Sequence, residues 1–129
     1  MSVTRFEVGI VGADRTIVDF LADVFELHEL PPLDTPAGTL HRLESPGAVI
    51  KVMVPIDAPS PRDTEPSLAV TGIRYLTIWV SDLDGAVERC TARGGTVVVA
   101  PFDYEPAARL AVITDADGNT YEVLETSTG

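Results

Sequence analysis

The sequence predicts an α+β fold of two successive βαβββ modules, whose strands form a curved mixed sheet around an internal cup with the helices outside. Three observations predict it. A strand-helix-strand order occurs twice, on either side of a proline-rich stretch at 56–71. In each copy a residue of the first strand precedes a helix-capping Asp by seven positions, Glu7 before Asp14 and Tyr75 before Asp82. A single unit of this kind cannot cover its own sheet, so two copies placed side by side would share a lined concavity.

In the first half, Arg5 to Val11 alternates in the strand manner, placing Phe6, Val8 and Ile10 on one face and Glu7, Gly9 and Val11 on the other. Asp14 stands at a helix N-cap, and Ile17, Phe20, Leu21, Val24 and Phe25 recur at helical spacing through Leu27. Pro31-Pro32 breaks the stretch that follows. Strands are expected over 39–44 and 48–54, joined by a turn at Ser45-Pro46-Gly47. Pro55, Pro59, Pro61 and Pro66 mark a linker. The pattern then restarts with a strand over 73–80, Leu76, Ile78 and Val80 on one face and Tyr75, Thr77 and Trp79 on the other. Asp82 caps a helix carrying Leu83, Ala86, Val87 and Cys90, which Gly94-Gly95 ends. Strands over 96–100, 109–114 and 120–125 complete the copy, with Phe102 and Tyr104 on a loop between Pro101 and Pro106. The expected organisation is one domain over 1–129, with module one at 1–55, a linker at 56–71 and module two at 72–129.

A chain of 129 residues buries about two thirds of its unfolded surface, enough for one core. Hydrophobic residues make up 45% and charged residues 22%, as in ordinary globular proteins. A net charge of −11 argues against nucleic acid as a partner. No run approaches the ~20 apolar residues of a membrane span, and no signal-peptide core is visible at the start, so a cytoplasmic protein is expected. Cys90 is the single cysteine, excludes an internal disulfide, and sits where a helix packs.

The segment Thr114-Asp115-Ala116-Asp117-Gly118-Asn119-Thr120-Tyr121-Glu122-Val123 resembles the Asp-Pro-Asp-Gly-Asn-x-x-Glu-Leu ending of the glyoxalase, bleomycin-resistance and extradiol-dioxygenase superfamily, also called vicinal oxygen chelate. Ala116 stands where the family has Pro. Residues 74–84 are similar to that family's second strand-to-helix entry and residues 6–27 to its first, so the resemblance covers nearly the whole chain. Alternation after Asn119 puts Thr120, Glu122 and Leu124 on one face, turning Glu122 away from the apolar side.

The resemblance implies a metal corner to which four strands each bring one ligand, and the matching positions here are Glu7, Lys51, Tyr75 and Glu122. Only the two glutamates are credible ligands, because Lys51 is cationic and a phenol ionises near pH 10. No cofactor is therefore expected; a divalent metal through Glu7, His41 and Glu122 is the alternative. Lys51 would serve as an internal counterion to Glu7 and Glu122, or else reach solvent at a strand edge. His28 is expected at the surface.

Tyr75, Thr77 and Trp79 offer flat area and hydroxyls to an aromatic ligand, and Arg109 a partner for an anionic group. Glu7, Lys51, Tyr75, Thr77, Trp79, Arg109 and Glu122 are thus the ligand-binding candidates. The resemblance implies a protein that sequesters a small aromatic natural product without metal, as the antibiotic-resistance branch does. The alternative is an isomerase, epimerase or lyase in which Glu122 or Glu7 is the general base. A homodimer is implied too, with no nucleic acid or membrane partner.

Overall fold

Each half of the chain pairs its first strand with its last, in parallel, and threads a helix and two antiparallel strands between them. The structure, a computed structural model, describes residues 2–126, which divide into a first unit ending at Ser60 and a second beginning at Pro61. The first unit contains β1 (Glu7–Val11), α1 (Thr16–Val24), β2 (His28–Thr35), β3 (Gly38–Ser45) and β4 (Ala48–Pro55), in sheet order β1-β4-β3-β2. The second contains β5 (Tyr75–Trp79), α2 (Leu83–Ala92), β6 (Thr96–Glu105), β7 (Ala108–Thr114) and β8 (Thr120–Thr126), in the matching order β5-β8-β7-β6. Both are βαβββ, and the class is α+β as the repeated pattern predicts.

The helices form where apolar spacing and caps coincide. In α1, Ile17, Val18, Phe20, Leu21 and Val24 are buried, each side chain contributing roughly 1.5–3 kcal/mol by leaving water. Asp14 accepts a hydrogen bond from the Thr16 backbone N–H at 2.8 Å, one position earlier than expected, because Arg15 occupies the cap position itself. The helix stops at Val24, short of Leu27, since Glu26 turns into the left-handed region with φ 53° and starts the chain toward β2. In α2, Asp82 caps by accepting from Gly85 N–H at 3.0 Å. Gly94, with φ 79°, lets Gly95 N–H close back onto Cys90 C=O at 2.9 Å.

Three stretches differ from the sequence expectation. The Pro31-Pro32 segment is a strand after all: β2 lies at the sheet edge, and its ladder skips both prolines in a bulge between Leu30 and Leu33. Proline lacks the N–H that a central strand needs, and an edge bulge removes the need. Phe102 and Tyr104 likewise lie on a strand rather than a loop, because edge strand β6 absorbs Pro101 in a register shift between Val99 and Phe102. The third is the latter part of the expected linker, which fastens to the second unit. There Arg62 Nη1 donates to Asn119 Oδ1 at 3.0 Å, Arg74 forks onto Asp63 at 2.9 and 3.1 Å, and the Ser67 and Thr120 hydroxyls hydrogen-bond each other.

The turn between β7 and β8 is built around one buried carboxylate. Asp115, 3% exposed, accepts from the backbone N–H groups of Asp117 and Asn119, from the Asn119 side-chain amide, and from Tyr121 Oη at 2.7 Å. Burial of Tyr121, with the Asp115 charge beside it, pushes its phenol well above the ordinary range, so the hydroxyl stays protonated and donates.

Asp115→Ala should therefore destabilise the protein by about 3 kcal/mol, since it orphans several buried donors at once. Tyr121→Phe should cost about 1–2 kcal/mol. Urea unfolding followed by circular dichroism checks both, and equal, negligible losses would contradict this account of the turn.

Candidate functional site

Strand register decides which side chains share a face. In the first unit, β1 pairs with β4 as Glu7 with Val49, Gly9 with Lys51 and Val11 with Met53, and β4 pairs with β3 as Lys51 with Arg42 and Val49 with Glu44. These residues lie on one face, opposite the buried set Leu43, Ile50 and Val52, whose side α1 covers. In the second unit, Tyr75 pairs with Thr120, Thr77 with Glu122 and Trp79 with Leu124. Ile113, Tyr121 and Val123 are buried on the reverse side, under α2.

The two registers superimpose. Gly9 beside Lys51 in one unit answers to Thr77 beside Glu122 in the other, and Glu7 to Tyr75. The central position of the repeated unit thus carries an ammonium in the first copy and a carboxylate in the second.

Within the second unit, Tyr75, Thr77, Trp79 and Glu122 are neighbours on the open face. Tyr75 and Trp79 remain 48% and 57% exposed, and Phe102 joins them at the edge through its pairing with Leu110. Beneath the aromatics, Ala108, Leu110 and Leu124 form a small buried cluster with Val112 against it. Thr77 Oγ1 donates to Glu122 Oε1 at 3.2 Å, which orients the carboxylate.

Within the first unit, Glu7 and Lys51 share the open face but do not pair. Glu7 accepts from Arg5 Nη2 at 2.9 Å instead. Lys51, half-buried, enters no ion pair among the described residues. The Glu7 half of the expected Lys51 counterion bridge is therefore not formed, Arg5 having taken Glu7.

Two candidates lie on the wrong side of their sheets. Arg109 pairs in register with Glu125, one residue out of step with Leu124 and Leu110, so it faces α2 and forks onto Asp84 at 3.3 Å. Asp84 holds its guanidinium above the usual pKa, and it is not available to a ligand on the Trp79 face. His41 pairs with Val52, is only 6% exposed, and lies on the α1 side, opposite Glu7. Its Nδ1 has no hydrogen-bond partner. A metal site through Glu7, His41 and Glu122 accordingly loses its histidine. His28 is exposed.

Two of the four positions that the resemblance assigns to a metal, Lys51 and Tyr75, carry poor ligands for a divalent ion. Lys51 brings positive charge and Tyr75 a neutral phenol, while Glu7 and Glu122 already accept hydrogen bonds from Arg5 and Thr77. Among the described residues no three His, Cys, Asp or Glu side chains come together in a way that could hold a metal.

Arg42 is a residue that sequence reading passed over. Its Nη2 donates to Pro31 C=O at 3.1 Å, while its buried Nε has no acceptor. The only hint was its place in an alternating strand; its position beside Lys51 depends on a pairing the sequence does not display.

The chain matches the family model described as the Glyoxalase/Bleomycin resistance protein/Dioxygenase superfamily over residues 10–123. A glyoxalase family protein from Bacillus cereus is similar in fold, with 19% identity, a TM-score of 0.86, and coverage of 99% of this chain and 97% of that one. TioX from Micromonospora sp. ML1 is 25% identical with a TM-score of 0.64, covering 98% of each chain. The fosfomycin resistance protein FosX from Listeria monocytogenes is 16% identical with a TM-score of 0.70, covering 97% of this chain and 94% of that one. No curated protein matches the chain. Among the described residues no helix is long and apolar enough to cross a membrane.

Cys90, on α2, is fully buried, and burial together with the Asp115 charge pushes its thiol up to about 11. It should resist iodoacetamide in the native protein at about pH 8 and react once unfolded, as followed by intact mass. Rapid native modification would contradict its packing role.

Proposed function

This chain belongs to the glyoxalase/bleomycin resistance protein/dioxygenase superfamily, and from that membership we propose that it binds a small, planar aromatic molecule without transforming it. The observation that carries the reading is the open face of the second sheet. There Tyr75 and Trp79 expose ring area over an apolar floor, with the Thr77 and Glu122 pair beside them as hydrogen-bonding groups. The opposite face already has its aliphatic core, so these aromatics are not needed for packing. The unsuitability of Lys51 and Tyr75 as metal ligands supports binding without a metal. Resistance proteins among the structural neighbours, FosX by its name, are compatible with sequestration of a toxic compound.

A second copy of the chain is the proposed protein partner. Strand β6 is an unpaired edge with Val98, Val99, Phe102 and Tyr104 exposed, a liability that association would cover.

Trp79 is the sole tryptophan, so its fluorescence reports on the site directly. Planar aromatic compounds should quench it saturably and be recovered unchanged, and Trp79→Ala should weaken their binding about tenfold or more. Turnover of a bound compound would overturn the reading. Elemental analysis of purified protein should find no stoichiometric Ni, Zn, Fe or Mn. Light scattering should give about twice the 13.8 kDa of one chain, and a monomer would remove the proposed partner.

A further inference from the structure

We propose that the open face of the first sheet is an oxyanion site formed by Lys51 and Arg42, which takes a small molecule bearing a carboxylate or phosphate. It goes beyond the aromatic reading, which concerns the second sheet, and stands independently of it.

The placement of charge carries the inference. The chain has 20 acidic residues against 9 basic ones. Arg5, Arg15, Arg74 and Arg109 each engage a carboxylate within 4.0 Å. Lys51 and Arg42 engage none among the described residues, yet register sets them directly opposite each other on β4 and β3. Like charges opposite one another across an antiparallel pair destabilise a sheet. In a protein so rich in acids, two adjacent cations without a carboxylate form a site whose partner comes from outside.

Their surroundings sharpen this. The titratable groups on the same face are Glu7, Glu44 and His28, all in the neighbouring row, and Glu7 is taken by Arg5. Arg42 is partly desolvated: its Nη2 donates to Pro31 C=O at 3.1 Å and its buried Nε has no acceptor, so its charge has no anionic partner on the sheet. On the other side of Lys51 stands Gly9, where an added Cβ would meet nothing within 4 Å. The row Gly9, Lys51, Arg42 therefore combines an open space, a half-buried ammonium and an under-satisfied guanidinium. A carboxylate or phosphate seated there would be held by charge-assisted hydrogen bonds and would relieve the repulsion between the two cations.

Lys51 is the only lysine, so protein labelled with 13C in lysine gives a single side-chain ε signal. The probes are 2-naphthoate, its neutral amide 2-naphthamide, and inorganic phosphate. Naphthoate or phosphate should shift the Lys51 signal saturably while naphthamide does not, and naphthoate should bind about tenfold more tightly than naphthamide. Whichever anion acts identifies the oxyanion class. Lys51→Met and Arg42→Gln should each abolish that preference, and Gly9→Leu, which fills the open space, should weaken naphthoate. An unmoved Lys51 signal in the wild-type protein with both anions, or equal affinity for naphthoate and naphthamide, would overturn the site. If Trp79 is quenched equally by both aromatics while Lys51 stays silent, the aromatic-binding reading survives and the anion site falls. A Lys51 response without any Trp79 quenching leaves the anion site standing and removes the aromatic reading.

Discussion

The parallel pairing of the first and last strands in each unit is the constraint from which the rest of the structure follows. A parallel pair cannot be closed by a tight turn, so the chain must cross over, and here the crossover supplies a helix and two antiparallel strands. The helix covers one face of its sheet, which takes the buried side chains Ile50, Val52 and Leu43 in one unit and Ile113, Tyr121 and Val123 in the other. The opposite face carries all but one of the proposed ligand-binding side chains, beside the small buried cluster of Ala108, Leu110 and Leu124 in the second unit. Arg109 is the exception, and His41, named only for the alternative metal site, likewise lies on the helix side; in both cases pairing register assigns the face.

The same backbone is used twice with different chemistry. Where the first unit has Glu7, Gly9, Val11 and Lys51, the second has Tyr75, Thr77, Trp79 and Glu122 in equivalent ladder positions. One copy presents cations and an empty space, the other presents rings and a carboxylate held by a threonine. Fold membership sets where these positions lie, and the side chains alone set what they can bind.

The residues that carry the family resemblance turn out to be structural. Asp115, Asn119 and Tyr121 form a hydrogen-bonded knot around one buried carboxylate, which closes the β7 to β8 turn and registers β8 against β7. Asp115 and Asn119 belong to the motif and Tyr121 falls at one of its open positions, so this part of the motif reports the turn rather than the chemistry. Glu122 sits one residue beyond the knot, on the opposite face from Tyr121, and its role depends on neighbours that the motif does not contain.

The sequence by itself determined the repeat, both helices with Asp82 as the cap of the second, the alternation within strands, and the family. All of these are local: they depend on residues a few positions apart and on periods of 2 and 3.6. Tertiary structure alone decided which strands lie side by side, and with them the neighbours of each open-face residue. It made strands of the Pro31-Pro32 and Pro101 segments, because an edge excuses the missing N–H. It turned Arg109 to Asp84, buried His41 beneath α1, and set Arg42 against Lys51. These outcomes rest on hydrogen bonds between residues distant in sequence, and composition carries no record of such pairings.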